Sequence, residues 1–241
     1  MPDAADTATS NPPRGEQTRA RIVDAATRLF REQGYDATTM RAIAREAGVS
    51  LGSAYYYFDS KEQLVQSFYD QMHVLHHAAA ADVLRDGRDF TSRLRGVLLA
   101  WVGAARPYHA FAGQFFRYAA EPTSALSPFS AESAPARDAS IDLFGEVVDG
   151  SGLRLPADVA AELPRLLWLY HMGIVLFWVH DVSTDQVRTH ELVERTVPMV
   201  GRLATLSRSR LLRPVTRDVL ALVQDLAGPV PQRPSNGRPT V

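Results

Sequence analysis

The chain has 241 residues, enough to bury a core without covalent staples, and no cysteine, so disulfides, thiolate metal sites and thiol nucleophiles are excluded. With 26 basic against 27 acidic residues its formal net charge is −1, so any affinity for nucleic acid has to come from local geometry. The absence of cysteine suits a reducing, cytoplasmic setting. The start of the chain carries Asp3 and Asp6 and no apolar run, so it does not read as a signal peptide.

Residues 1–14, rich in alanine, aspartate, threonine and proline, are expected to form a disordered arm. A helix is expected over 16–33, where Ile22, Ala26, Leu29 and Phe30 recur at helical spacing, and Gly34 suits a left-handed C-cap. Two short helices, 39–47 and 50–57, follow across Gly48-Val49-Ser50. Asp59 or Ser60 can cap a long helix reaching about Arg85. Further helices are expected over 90–105, over 107–120 with Pro107 in the first turn, over 137–148, 157–181 and 184–209, and over 216–226. The proline- and serine-rich segment 121–136 reads as a loop. The tail 228–241, with Pro229, Pro231, Pro234 and Pro239, is expected to be disordered. No period-two run of β-branched residues occurs, so the fold class is all-α, with a small three-helix unit over 15–62 and a larger helical domain over 63–227. The most apolar stretch, 166–180, falls short of the roughly 20 residues that span a bilayer and reads as a buried helix, with no membrane partner.

The two short helices joined by a glycine turn describe a helix-turn-helix. Thr39 can cap the first, Ala44 is small enough for a close crossing, and Ile43, Val49 and Ala54 can bury against Leu29 and Phe30. The second helix then offers Ser50, Leu51, Gly52, Ser53, Tyr55, Tyr56 and Tyr57 to a DNA groove. Its small N-terminal residues allow close backbone approach, and helix N-termini favour phosphate. Lys61, the only lysine, falls at the start of the next helix. Three consecutive tyrosines point around most of a helix, so they cannot all be core.

The pattern Phe-x-x-x-Gly-Tyr ending at Tyr35, Thr-x-x-x-Ile-Ala-x-x-Ala-Gly-Val-Ser from Thr39, and Gly-x-x-Tyr-x-Tyr-Phe-x-x-Lys-x-x-Leu from Gly52 closely resembles the TetR-family DNA-binding domain. The resemblance covers residues 16–66 without departure. It implies that Thr39, Arg41, Ser50, Tyr55, Tyr56, Tyr57 and Lys61 lie at DNA-contacting positions. Arg41 and the recognition-helix side chains are then candidates for base edges, and Thr39, Tyr55, Tyr57 and Lys61 for phosphates, which position without specifying. It also implies a divergent helical sensor whose last two long helices form a four-helix dimer bundle.

The remaining sequence agrees with that expectation on its own terms. Residues 166–180 are apolar on every side and have to be covered all round, with Gly173 and Phe177 facing a partner copy. In the next helix Val193, Val197, Val200 and Ala204 belong to a broad apolar stripe assigned to the same dimer interface. Aromatic residues gather in the middle helices. With interspersed polar groups they give a ligand-site set of Trp101, His109, Gln114, Phe115, Phe116, Phe144, Trp168 and His171, suited to a small apolar or aromatic effector. His73 and His77 share a helical face at a chelating spacing, but no carboxylate stands in register nearby in sequence, so neither a metal nor a cofactor is expected. No phosphate loop, nucleophile elbow or zinc-protease motif is present, so no enzyme is expected. The sequence points to a homodimeric, ligand-responsive regulator of operator DNA, with a constitutive DNA-binding regulator as the alternative.

Overall fold

The computed structural model describes residues 13–121 and 123–207 together with positions 218 and 221. The N-terminal arm, the tail and most of the short helix expected at 216–226 lie outside the described residues. Among those described there are nine α-helices and no strand: α1 Arg14–Gln33, α2 Met40–Glu46, α3 Leu51–Tyr57, α4 Lys61–Asp86, α5 Phe90–Ala105, α6 His109–Ala119, α7 Ala134–Asp149, α8 Ala157–His180 and α9 Val187–Leu206. Short 3₁₀ turns, Arg106–Tyr108 and Thr184–Gln186, precede α6 and α9.

The helix starts follow their caps. Thr39 accepts from the Ala42 N–H at 3.1 Å, Ser50 from the Ser53 N–H at 3.0 Å, and Ser60, not Asp59, from the Gln63 N–H at 3.4 Å. Gly34 ends α1 at φ 85° and ψ 165°, a region open essentially to glycine but not the left-handed helical one expected. Gly48, at φ 66°, makes the turn between α2 and α3. Two boundaries differ from the sequence reading. α7 begins inside the expected loop because Pro135 occupies the first turn, where no N–H is required. α9 starts only at Val187, because Asp185 and Gln186 adopt positive φ and the Asp181 carboxylate accepts from the Thr189 N–H at 2.8 Å and its hydroxyl at 2.7 Å.

The first core joins α1, α2 and α3 to the opening turn of α4 through Ile22, Ala26, Phe30, Ile43, Ala54 and Leu64. That core is not closed by residues 15–62. Val65 of α4, Ala119 at the end of α6 and Leu126 of the loop after it are buried within it. The second core joins α4, α5, α7, α8 and α9 around Leu94, Leu98, Phe144, Leu167 and Val193. By length and composition alone α8 could cross a bilayer. One of its faces, with Leu163, Leu167, Trp168, Ile174 and Trp178, is buried inside the protein.

Candidate DNA-reading helix and effector cavity

In the helix-turn-helix, Ile43, Ala44 and Ala54 are sealed into the core, which fixes which way α3 faces. Arg41, Gly52, Tyr55 and Tyr56 are consequently exposed, Tyr56 at 83%. Leu51, Ser53 and Tyr57 are half-buried, and Leu51 and Tyr57 pack against the core. The hydroxyls of Thr39 and Ser50 are engaged as caps. Lys61 is turned inward: its ammonium donates to the Tyr35 carbonyl at 2.8 Å and lies 4.3 Å from that ring's centre. An ammonium has three donors, so this contact leaves others for a phosphate. Arg45, one turn after Arg41 and also exposed, shares its face and was missed in the sequence.

The larger domain holds a part-open cavity of about 490 Å³ among α4, α5, α6, α7, α8, the 3₁₀ turn before α6 and the loop that follows it. Of the residues expected there, Trp101, Phe116, Trp168 and His171 line it. Phe144 does not: it is fully buried in the second core, with its ring 5.5 Å from that of His171. His109 is not on the wall either, being spent in a 2.8 Å hydrogen bond to the Trp178 carbonyl. The side chains of Phe111, Gln114 and Phe115 lie outside what is described.

Several wall residues were absent from the expected set. Phe68, Tyr69, Met72, His73 and His76 come from α4, and their helical spacing was the available signal. Ser127, Pro128 and Phe129 come from the loop after α6 and carry no sequence signal for it. His77, the chelating partner considered for His73, pairs instead with Glu146 of α7 at 3.1 Å. Among the described residues no group of three histidine or carboxylate side chains could hold a metal.

The loop joins the two cores. Leu126 is buried among the helix-turn-helix residues, while Phe129, three residues on, meets Trp168 in an edge contact at 5.3 Å on the cavity wall. α4 holds this loop: Gln66 donates to the Ala125 carbonyl at 2.6 Å, and Tyr69 to the Leu126 carbonyl at 2.9 Å. At the end of α6, the Tyr118 ring lies tilted 5.2 Å from that of Tyr35, and its hydroxyl donates to Asp36.

The expected dimer residues divide. Val193 and Val197 are fully buried and Ala204 nearly so, all inside the protein's own second core, because this face of α9 packs on α5. A neighbouring stripe of the same helix, Met199, Leu203 and Leu206, faces outward, with Met199 and Leu203 at 58% and 67% exposure, while Leu192, Thr196 and the expected Val200 are half-buried, Leu192 and Val200 against the second core. On α8, Phe177 is exposed, and Gly173, also exposed, lies on the rim of the cavity and not on this surface, while the Tyr170 hydroxyl meets that of Thr196 between the two helices. An open depression over Thr91, Pro198 and Leu206 borders it.

Comparison with known proteins gives consistent matches in both regions. Residues 22–68 match the model of bacterial regulatory proteins of the tetR family, and residues 93–222, more than half the chain, match the model described as the tetracyclin repressor-like C-terminal domain. The probable transcriptional regulator ArpR of Pseudomonas putida is 40% identical over 85 residues, which is 35% of this chain and 40% of that protein. The chain thus aligns with well under half the length of that relative. Among solved structures, a TetR regulator from Nitrosomonas europaea superimposes with a TM-score of 0.58 at 20% identity, covering 76% of this chain and 97% of the other. FadR of Thermus thermophilus, solved with lauroyl-CoA, does so with a TM-score of 0.56 at 23% identity, covering 74% and 92%. At those identities the likeness establishes the fold.

Proposed function

From its membership of the TetR family of bacterial regulatory proteins, we propose that this chain is a dimeric regulator that grips operator DNA with paired α3 helices and releases it when a small, mostly apolar ligand enters the cavity. The family's members are DNA-binding regulators, not enzymes. The observation that carries the reading is the pairing, in one chain, of an outward-facing Arg41, Tyr55 and Tyr56 with a part-open aromatic cavity tied to the same core by the loop that carries Leu126 and Phe129. The second copy covers the outer stripe of α9 and the adjoining face of α8. This isologous arrangement puts two copies of α3 on one side of a palindromic site.

The cavity supports ligand control over a constitutive regulator. Half-sites one turn apart require recognition helices roughly 34–36 Å apart, so a ligand that favours another spacing lowers DNA affinity by its coupling energy, typically about 1–3 kcal/mol. The lauroyl-CoA held by the Thermus protein is a poor guide to the ligand here. Its phosphates need cations, whereas Arg137 is the single arginine or lysine on the described cavity wall, and it donates to the Pro128 and Ser130 carbonyls. The experiment is selection of bound duplexes from a random pool, followed by competition with small apolar compounds. Enrichment of two inverted half-sites, released by at least one such compound, is expected. A pool with no enriched motif overturns the DNA reading, and an operator complex indifferent to every compound restores the constitutive alternative.

A further inference from the structure

The cavity wall on α8 contains polar atoms that no described protein group serves. His171 is 3% exposed, and neither of its ring nitrogens has a hydrogen-bond partner. Trp178, two turns further along the helix, is 2% exposed with its indole N–H unpartnered. Both side chains line the cavity, and Trp101 lies against both, its ring 5.0 Å from each. Buried groups of this kind are nearly always satisfied in folded proteins, so two on one wall mark a place for a ligand's polar atoms.

The charge of that ligand follows from the same surroundings. The His76 ring lies 5.7 Å from that of His171, and its Nε2 donates to the Val97 carbonyl at 2.9 Å, while burial lowers its pKa to about 4 and keeps the ring neutral. Burial, reinforced by His76, holds His171 well below its ordinary value, so it is a neutral imidazole with one N–H and one bare nitrogen. Arg137, the one arginine or lysine on the described wall, already faces a carboxylate, its Nε 3.9 Å from Asp138, and donates to the Pro128 and Ser130 carbonyls, so it is not a free counter-charge for a ligand's carboxylate or phosphate. A hydroxyl both donates and accepts, and so serves a bare imidazole nitrogen and an indole or imidazole N–H together. The remaining wall is largely aromatic, with Trp101, Trp168, Phe116 and Tyr69.

We infer that the effector is an uncharged ring compound bearing a hydroxyl, with the hydroxyl seated on His171 and the ring among the tryptophans. This rests on the cavity being a ligand site, and the test separates the two ideas. All three tryptophans of the chain line the cavity, so intrinsic fluorescence reports occupancy directly. The full-length protein is titrated with 4-propylphenol, 4-propylanisole and 4-propylbenzoate, with calorimetry as a second readout. The phenol is expected to bind about tenfold more tightly than the anisole, as one added hydrogen bond allows, and the benzoate most weakly. His171→Phe keeps a ring of similar size and removes both nitrogens, so it is expected to bring phenol and anisole within about twofold of each other while anisole still binds. Trp178→Phe, a smaller change in the same wall, is expected to shrink the phenol advantage in part, and it serves if the His171 variant does not fold. Equal binding of phenol and anisole to the native protein, tighter binding of the benzoate, or an undiminished phenol preference in both variants overturns the hydroxyl inference and leaves the ligand site standing. No binding of any of the three up to millimolar concentration overturns the ligand site itself.

Discussion

Arg41 and Tyr56 stand free of the core that fixes the helices carrying them, so their loss should remove contacts to DNA without loosening the fold. Arg41→Ala and Tyr56→Ala are each expected to cost about 1–3 kcal/mol of operator affinity with an unchanged melting temperature, measured by competition between operator and random duplexes. Operator preference retained by both variants would remove α3 as the reading element. Lys61→Ala is expected to differ twice. It weakens all sequences alike and flattens the salt dependence if the ammonium also reaches phosphate. It also lowers stability, since Lys61 clamps Tyr35. The sequence made the motif positions legible because their spacing is the spacing of the turn, and it offered Thr39 as a cap; it could not show that Ser50 spends its hydroxyl in the same way. Asp181 is a residue whose role no pattern revealed. Burial acts to raise it, but Ser183 and Thr189, each donating both backbone N–H and hydroxyl, outweigh burial and hold it at about 2. A lowered folded value contributes stability above the unfolded value near 4. That contribution should fade as pH falls from about 4 toward 2. Asp181→Asn is expected to lose about 1–3 kcal/mol at neutral pH and to show a flatter acid limb, read by denaturant melts across that range.

On α9 two apolar stripes run side by side, and the sequence showed their combined width without showing which one turns inward. That choice is made by α5, which packs on the Val193 and Val197 stripe and leaves Met199, Leu203 and Leu206 outside. Periodicity measures how broad an apolar face is, while the packing partner decides which half is core. The two stripes therefore give opposite tests. Leu203→Glu places like charges against each other across the two-fold and is expected to yield a folded monomer with a native circular dichroism spectrum and about 1–3 kcal/mol or more of lost operator affinity through loss of paired binding. Val197→Glu buries a charge without a partner and is expected to unfold the chain. A Leu203→Glu protein that still sediments as a dimer at micromolar concentration would place the interface elsewhere. The first turn of α7 was misread for a related reason: Pro135 looks like a loop residue until its place in a helix's first turn is known.

Across the whole molecule, α4 and the loop after α6 run from the cavity to the helix-turn-helix, and both connections are short. Phe129 touches the cavity through Trp168, and Leu126 enters the DNA-side core. Phe129→Ala removes a mostly exposed ring and is expected to leave operator affinity within about twofold while reducing the release produced by a saturating ligand; full release in that variant would transfer the coupling to α4 alone. The long-range joining of Leu126 and Phe129 to two different cores was illegible in the sequence, because a proline- and serine-rich stretch carries no periodicity from which a partner could be inferred. The burial of Ala119 and Leu126 among residues of α1 to α4 also bears on inheritance and on engineering. The reading head cannot be exchanged as a cassette at the α3–α4 junction, since a transplanted head would leave behind part of its own interior. A chimera that joins this head to another sensor needs matching counterparts of Tyr118, Ala119 and Leu126. Drift in operator preference and drift in ligand preference are thereby tethered, and new combinations arise more readily by reshaping the exposed side chains of α3 than by recombining whole domains.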